Sequence, residues 1–273
     1  MADKFQEQAI ILSQKEIAPD IFDLRLKTAQ IGKTARAGQF VSLYCADGSR
    51  LLPRPISICE ISGGALRLVY RIAGAGTREF SSLKEGDTLK ILGPLGNGFP
   101  LREGKSFFLI GGGIGIPPML ELAKELACGA EAAGEDGAAA EDKKFCRIQI
   151  IAGYRDSSTF LLEDFRKYGK VYPASEDGSV GTEGNVLDAV RENDLAADVI
   201  YACGPALMLR AVKQYAAEKK IECWISMEER MACGIGACLA CVCRSAETDG
   251  HTNVKNKRIC KEGPVFPAEE IEF

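Results

Sequence analysis

The chain has 273 residues, 46% of them hydrophobic and 26% charged, which suits two folded domains and a short third in an ordinary water-soluble protein. A net charge of −4 gives no reason to expect nucleic-acid binding, and no run of about 18 apolar residues marks a membrane span. Met1-Ala2-Asp3-Lys4 lacks the plan of a secretory leader, so the 11 cysteines are expected in a reducing cytoplasm, while one histidine, His251, leaves little scope for histidine-based hydrolysis.

Residues 1–102 read as all-β. Short runs rich in β-branched residues cover Gln6–Lys15, Ile21–Thr28, Gln39–Cys45, Pro55–Ile61, Ala65–Ile72 and Thr88–Leu92, separated by turn signals such as Gly63-Gly64. Leu66, Leu68, Tyr70 and Ile72 alternate with Arg67 and Arg71, which predicts one buried and one wet face, and six such strands suggest a closed antiparallel barrel. Two features exceed what folding needs. Arg54-Pro55-Ile56-Ser57 puts a guanidinium able to grip a diphosphate and a hydroxyl able to meet a flavin edge at the opening of a strand; an exposed arginine beside a strand-entry proline is the competing reading. Gly74-Ala75-Gly76-Thr77 follows a strand and could bring backbone N–H groups to phosphate oxygens, or be an ordinary hairpin turn.

Residues 103–222 alternate strand and helix, as a doubly wound parallel sheet would. Phe107–Ile110 is a short buried strand leading into Gly111-Gly112-Gly113-Ile114-Gly115-Ile116-Pro117-Pro118 and then a helix over Met119–Leu126, the arrangement that binds dinucleotide phosphates. It is not a strict G-x-G-x-x-G, because Ile116 holds the third position. Cys128–Lys144 is small and acidic and is expected to be an exposed, mobile insert. Further on come a strand over Arg147–Ala152, a helix over Phe160–Tyr168, a strand over Val199–Ala202 ending at Cys203-Gly204-Pro205, and a helix over Ala206–Lys219. Ligands bind at the carboxyl ends of such strands, where Gly111, Gly153 and Cys203 fall; a packed thiol is the competing reading for Cys203. Arg155 could pair with a 2′-phosphate and Asp156 could repel one, which leaves NADH against NADPH open.

Residues 223–273 hold Cys233, Cys238, Cys241 and Cys260 in the order C-x4-C-x2-C-x18-C, the plant-type spacing for a [2Fe-2S] cluster. Gly234 and Gly236 free the backbone to fold around it. Zinc sites favour two close cysteine pairs or a histidine pair, and a Rieske centre needs two histidines. Cys243 is expected to point away as a small buried hydrophobe.

Together these motifs resemble the ferredoxin-reductase superfamily and, more closely, the family of electron-transfer subunits of class 1B dihydroorotate dehydrogenases. The likeness rests on Arg54–Ser57, Gly111–Pro118, Tyr201–Pro205, Glu228–Gly234 and Arg258–Phe266 and spans nearly the whole chain outside the insert. It implies a flavin-binding barrel over residues 1–102, an NAD-binding α/β domain over 103–222 and a [2Fe-2S] segment over 223–273. Arg54, Pro55, Ile56, Ser57, Tyr70, Arg71, Gly76 and Thr77 would serve FAD. Gly111, Gly112, Gly113, Gly115, Cys203, Gly204 and Pro205 would serve NAD(H), with Cys203 at the nicotinamide in a catalytic place. Cys233, Cys238, Cys241 and Cys260 would hold the cluster. The resemblance further implies a heterotetramer with an FMN-containing catalytic subunit in pyrimidine biosynthesis. A related branch, the flavin subunits of sulfide dehydrogenases and ferredoxin:NADP reductases, carries an acidic residue at the first ligand position, where this chain has Cys233. A non-enzymatic cluster-based redox sensor would leave the flavin and nucleotide motifs without a purpose.

Overall fold

The computed structural model describes residues 3–102, 106–132, 147–248 and 253–273, and the chain divides into two compact units. The first takes in residues 1–98 and 228–265 together with Glu272. Its frame is a closed barrel of β1 (Phe5–Ala18), β2 (Ile21–Gln30), β3 (Phe40–Leu43), β4 (Arg54–Ser62), β5 (Gly64–Arg71) and β6 (Thr88–Leu95), in the order β1-β2-β5-β4-β3-β6. Every pairing around it is antiparallel. Alternate residues turn inward: Ile11, Leu24, Leu26, Val41, Leu43, Ile58, Leu66, Leu68 and Ile91 form the interior. Closure removes the free edges that such strands would otherwise expose.

The region is not all-β. Two short helices interrupt it, α1 (Ile31–Thr34) and α2 (Ala75–Ser81), and Phe80 of α2 is buried in the barrel core. Nor is the outer face of β5 uniformly wet. Arg67 is 8% exposed because its guanidinium pairs with buried Asp23 at 2.8 Å and with Glu60 at 3.3 Å.

The second unit takes in residues 99–227 and 266–271 with Phe273. Its strands are β7 (Phe107–Gly112), β8 (Ile148–Tyr154), β9 (Lys170–Ser175), β10 (Thr182–Glu183), β11 (Val199–Cys203) and β12 (Glu222–Ser226). They pair in parallel in the order β10-β9-β8-β7-β11-β12. After the hairpin of β13 (Val242–Ser245) and β14 (Asn256–Arg258), β15 (Val265–Pro267) joins this sheet beside β12. The helices are α3 (Pro118–Ala132), α4 (Leu162–Phe165), α5 (Val186–Glu192) and α6 (Ala206–Lys219). Asn185 starts α5 by accepting the Leu187 N–H, while Asp188 accepts the Asn185 N–H in return.

The order reverses between β7 and β11, which puts the ligand-binding crevice of such a sheet at their carboxyl ends. The helix expected over Phe160–Tyr168 is only the single turn α4: Leu161 stands before it in the left-handed region at φ +64, and Tyr154 donates its hydroxyl to the Phe160 carbonyl. Residues 128–132 of the expected insert continue α3; residues 133–144 and His251 lie outside the described residues. Among the described residues no helix is long and apolar enough to cross a membrane.

Candidate flavin, nucleotide and iron-sulfur sites

The four spaced cysteines come together as two pairs. Cys233 lies beside Cys238 and Cys241 beside Cys260, each near enough to shift its neighbour's ionisation, and Cys233 lies close enough to Cys260 to act on it electrostatically. Among the described residues no group of three or more His, Cys, Asp or Glu converges on one ion. Four thiols arranged as two neighbouring pairs match the donor set of a two-iron cluster, in which each iron takes two thiolates. Burial opposes ionisation of Cys233, but hydrogen bonds from the Ile235 N–H, the Cys238 thiol and the Ala237 N–H outweigh it and bring the thiol down to about 6. Cys260, buried and beside the Cys241 thiol, is pushed up to about 12, a cost that bound iron would remove by taking the proton's place. Cys241 accepts the Cys260 N–H at 3.4 Å.

Two residues to which the sequence assigned no role of their own hold the cysteine segments together. Arg258 donates to the Gly236 carbonyl at 3.0 Å and pairs with Glu262, tying the segment around Cys260 to the loop of the first three cysteines. Asn97 at the end of the barrel donates to the carbonyls of Glu262 and Val265 and accepts the Val265 N–H. Cys243 belongs to β13, is half-buried, and donates to the Lys257 carbonyl at 3.6 Å; burial pushes its thiol up to about 11.

On the barrel, Arg54 reaches the start of α2. A Cβ on Gly76 would stand 2.7 Å from Arg54 Cζ, so glycine there lets the guanidinium lie across the first turn of the helix. Thr77 closes that turn by accepting the N–H groups of Ala73 and Gly74. The segment Gly74–Thr77 is therefore a helix start rather than a hairpin turn, and a cation sits beside it. Pro55 and Ser57 alternate with Ile56 and Ile58, which pack on the core, so they face outward. Ile56 thus gives its side chain to the core. Tyr70 does likewise: it is 1% exposed, stacks on Phe22, meets Phe80 edge-on and donates its hydroxyl to Gln14. The Tyr70 side chain therefore belongs to the barrel core. Arg71, next along, is exposed.

In the second unit the glycine loop and the Cys203 loop lie back to back. Cys203 pairs with Gly111 across β11 and β7, and a Cβ on Gly115 would stand 2.5 Å from the Cys203 carbonyl carbon. Gly112 would meet Met208 Sδ at 2.6 Å and Pro205 Cδ at 3.1 Å. Gly113 has φ +52 and nothing near its Cβ position, leaving its backbone open to a ligand. Gly204, with φ +153, and Pro205 then lead into α6, and Cys203 is 9% exposed. Asp156, after β8, accepts the Ser158 N–H at 2.8 Å, and Asp177, after β9, accepts the Ser179 N–H at 3.0 Å. These serine contacts hold both carboxylates below the ordinary range.

Residues 228–272 match the family model described as the iron-sulfur cluster binding domain of dihydroorotate dehydrogenase B, and residues 109–214 match the oxidoreductase NAD-binding domain. The electron transfer subunit of dihydroorotate dehydrogenase B (NAD(+)) from Listeria monocytogenes is 41% identical over 274 residues, covering 98% of this chain and 99% of that one. Its counterpart from Caldanaerobacter subterraneus is 37% identical, covering 99% and 100%. The chain belongs to the family of dihydroorotate dehydrogenase B electron transfer subunits. Among solved structures, a chain of the NADH-dependent reduced ferredoxin-NADP oxidoreductase matches this family member with TM-score 0.82 at 28% identity, covering 97% of this chain and 90% of that one. A ferredoxin NADP+ reductase from Neisseria gonorrhoeae with bound FAD and NADP shares the fold, with TM-score 0.61 at 17% identity over 78% of this chain and 91% of that one. This member of the electron transfer subunit family is thus an oxidoreductase of ferredoxin-reductase fold with NAD-binding and iron–sulfur-binding segments.

Proposed function

We propose that this chain is the NADH-facing half of a two-subunit dihydroorotate dehydrogenase, passing electrons between NAD(H) and the FMN of a catalytic partner in a cytoplasmic assembly of two copies of each, for pyrimidine biosynthesis. The observation that carries the reading is the pairing of Cys233 with Cys238 and of Cys241 with Cys260, in the same compact unit that brings Arg54 to the start of α2. Bound FAD supplies the exchange between the two electrons of a hydride and the single electrons that an iron–sulfur cluster carries.

The chain's own residues do the holding. Arg54, with Gly76 and Thr77 beneath it, would hold the FAD diphosphate, and Ser57 and Pro55, facing outward, would hold its ring. The backbone from Gly111 to Gly115 approaches the nucleotide phosphates, and Cys203 stands at the nicotinamide. Asp156 and Asp177, ionised at the ends of neighbouring strands, disfavour a 2′-phosphate and so favour NADH. Functionally the chain is read as a flavin segment over 1–102, a nucleotide segment over 103–222 and a cluster segment over 223–273. No proton donor or acceptor is required of the protein for hydride transfer, which fits a sequence with one histidine.

The likeness to the ferredoxin-NADP oxidoreductase chain favours one competing reading, in which ferredoxin is the partner. The test measures coupled turnover. The purified chain is expected to reduce artificial acceptors with NADH, to leave dihydroorotate untouched, and to link dihydroorotate to NAD once an FMN-bearing subunit is added. Dihydroorotate oxidation by the single chain would contradict the two-subunit reading, and coupling to ferredoxin but not to that subunit would favour the competitor.

A further inference from the structure

Ser42 is 1% exposed, and its Oγ is a buried side-chain atom with no hydrogen-bond partner among the described residues. Native proteins almost always pair such a hydroxyl, because leaving it dry and unpaired is costly. The other such atom among the described residues is Asp23 Oδ1, whose carboxylate is already engaged by Arg67 through its second oxygen. Ser42 therefore stands apart as a whole group without a partner.

Its place in the fold says what it faces. Val41 and Leu43 point into the barrel core, so Ser42 points outward from β3. There it meets the cysteine loop: a Cβ on Gly234, the residue after Cys233, would stand 3.0 Å from Ser42 Oγ, and Gly234 has φ +68. Glycine at 234 thus brings the loop close down on the hydroxyl. The loop at Gly234 thus lies against a hydroxyl that is closed off from solvent. The loop side is the side it serves. Backbone N–H groups of Ile235 and Ala237 already reach Cys233 Sγ, at 3.5 and 3.3 Å, so this loop is built to direct donors at sulfur.

We propose that Ser42 donates its hydroxyl hydrogen to a sulfur of the iron–sulfur group held by Cys233, Cys238, Cys241 and Cys260, and so raises that group's reduction potential. The proposal rests on the cluster assignment above. A donor to sulfur stabilises the reduced form, which carries the extra negative charge.

The experiment uses the full chain with FAD and cluster in place. Ser42→Ala is expected to keep its iron and labile sulfide while the reduced-to-oxidised ratio at a fixed potential falls about tenfold, equivalent to about −59 mV for a one-electron couple. Fe–S vibrational bands should shift in heavy water in the native chain and less so in Ser42→Ala. Ser42→Thr and Ser42→Val, matched in shape, keep the test sharp if alanine prevents cluster uptake: threonine should retain the native potential and valine lose it. Equal potentials for threonine and valine, or a shift in the flavin potential alone, would overturn the proposal. A native chain that binds no iron would overturn the cluster assignment itself, so the two failures are distinguishable.

Discussion

Gly76→Ala separates the cradle around Arg54 from ordinary helix packing. Gly76 lies inside α2, where alanine ought to be the better residue by up to about 1 kcal/mol, so the ligand-free chain should not lose stability from the helix itself. The added Cβ would stand 2.7 Å from Arg54 Cζ and 2.9 Å from Nη2, too close for the guanidinium to stay. Arg54 has to swing off the start of the helix, and its bond to the FAD diphosphate goes with it. A hydrogen bond to a charged group contributes about 1.5–3 kcal/mol, so FAD affinity should fall roughly tenfold to 150-fold. Flavin fluorescence titration of the apoprotein measures this directly. Because both changes act through one guanidinium, Arg54→Ala should cost about as much, and the combined variant little more than Arg54→Ala alone. Unchanged affinity in Gly76→Ala, or a full additional loss in the Arg54→Ala background, would refute the reasoning.

Arg67→Met should destabilise the barrel by about 3–5 kcal/mol, because it strands the Asp23 carboxylate, 3% exposed, without the guanidinium whose Nε and Nη2 both donate to its Oδ2. Asp23→Leu combined with Arg67→Met should recover much of that loss; thermal unfolding followed by circular dichroism checks both, and a single variant as stable as the native chain would show the pair to be dispensable.

Much of this was legible in the sequence because it rests on local pattern. Runs rich in β-branched residues between turn signals located all six barrel strands, and the strand, glycine loop and helix order located the β7 to α3 unit. What escaped depends on contacts between distant residues. Arg67 looked solvated until its partner on β2, Asp23, was known. Gly74–Thr77 reads as a turn by composition, and only Thr77 closing on Ala73 and Gly74 shows a helix start. The alternation of Tyr70 with Arg67 and Arg71 put its side chain on the buried face, where it packs on Phe22 and Phe80. β9 escaped because Pro173 interrupts its hydrophobic pattern, and β10 because it is two residues long. The cysteine spacing indicated four ligands, but their grouping as 233 with 238 and 241 with 260 depends on how the loop folds back. Ser42 gave no signal in a strand that reads as core.

The central claim, that this chain carries electrons through a cluster held by four particular thiols, is tested most directly by iron and labile sulfide content across five variants, with NADH-driven flavin bleaching followed in each. Cys233→Ser, Cys238→Ser, Cys241→Ser and Cys260→Ser should each lose most of the cluster while NADH still bleaches the flavin, because hydride transfer precedes the cluster. Cys243→Ser, which removes only a thiol bonded to the Lys257 carbonyl, should keep its iron near the native level. Loss of iron in Cys243→Ser together with retention in Cys260→Ser would contradict the account.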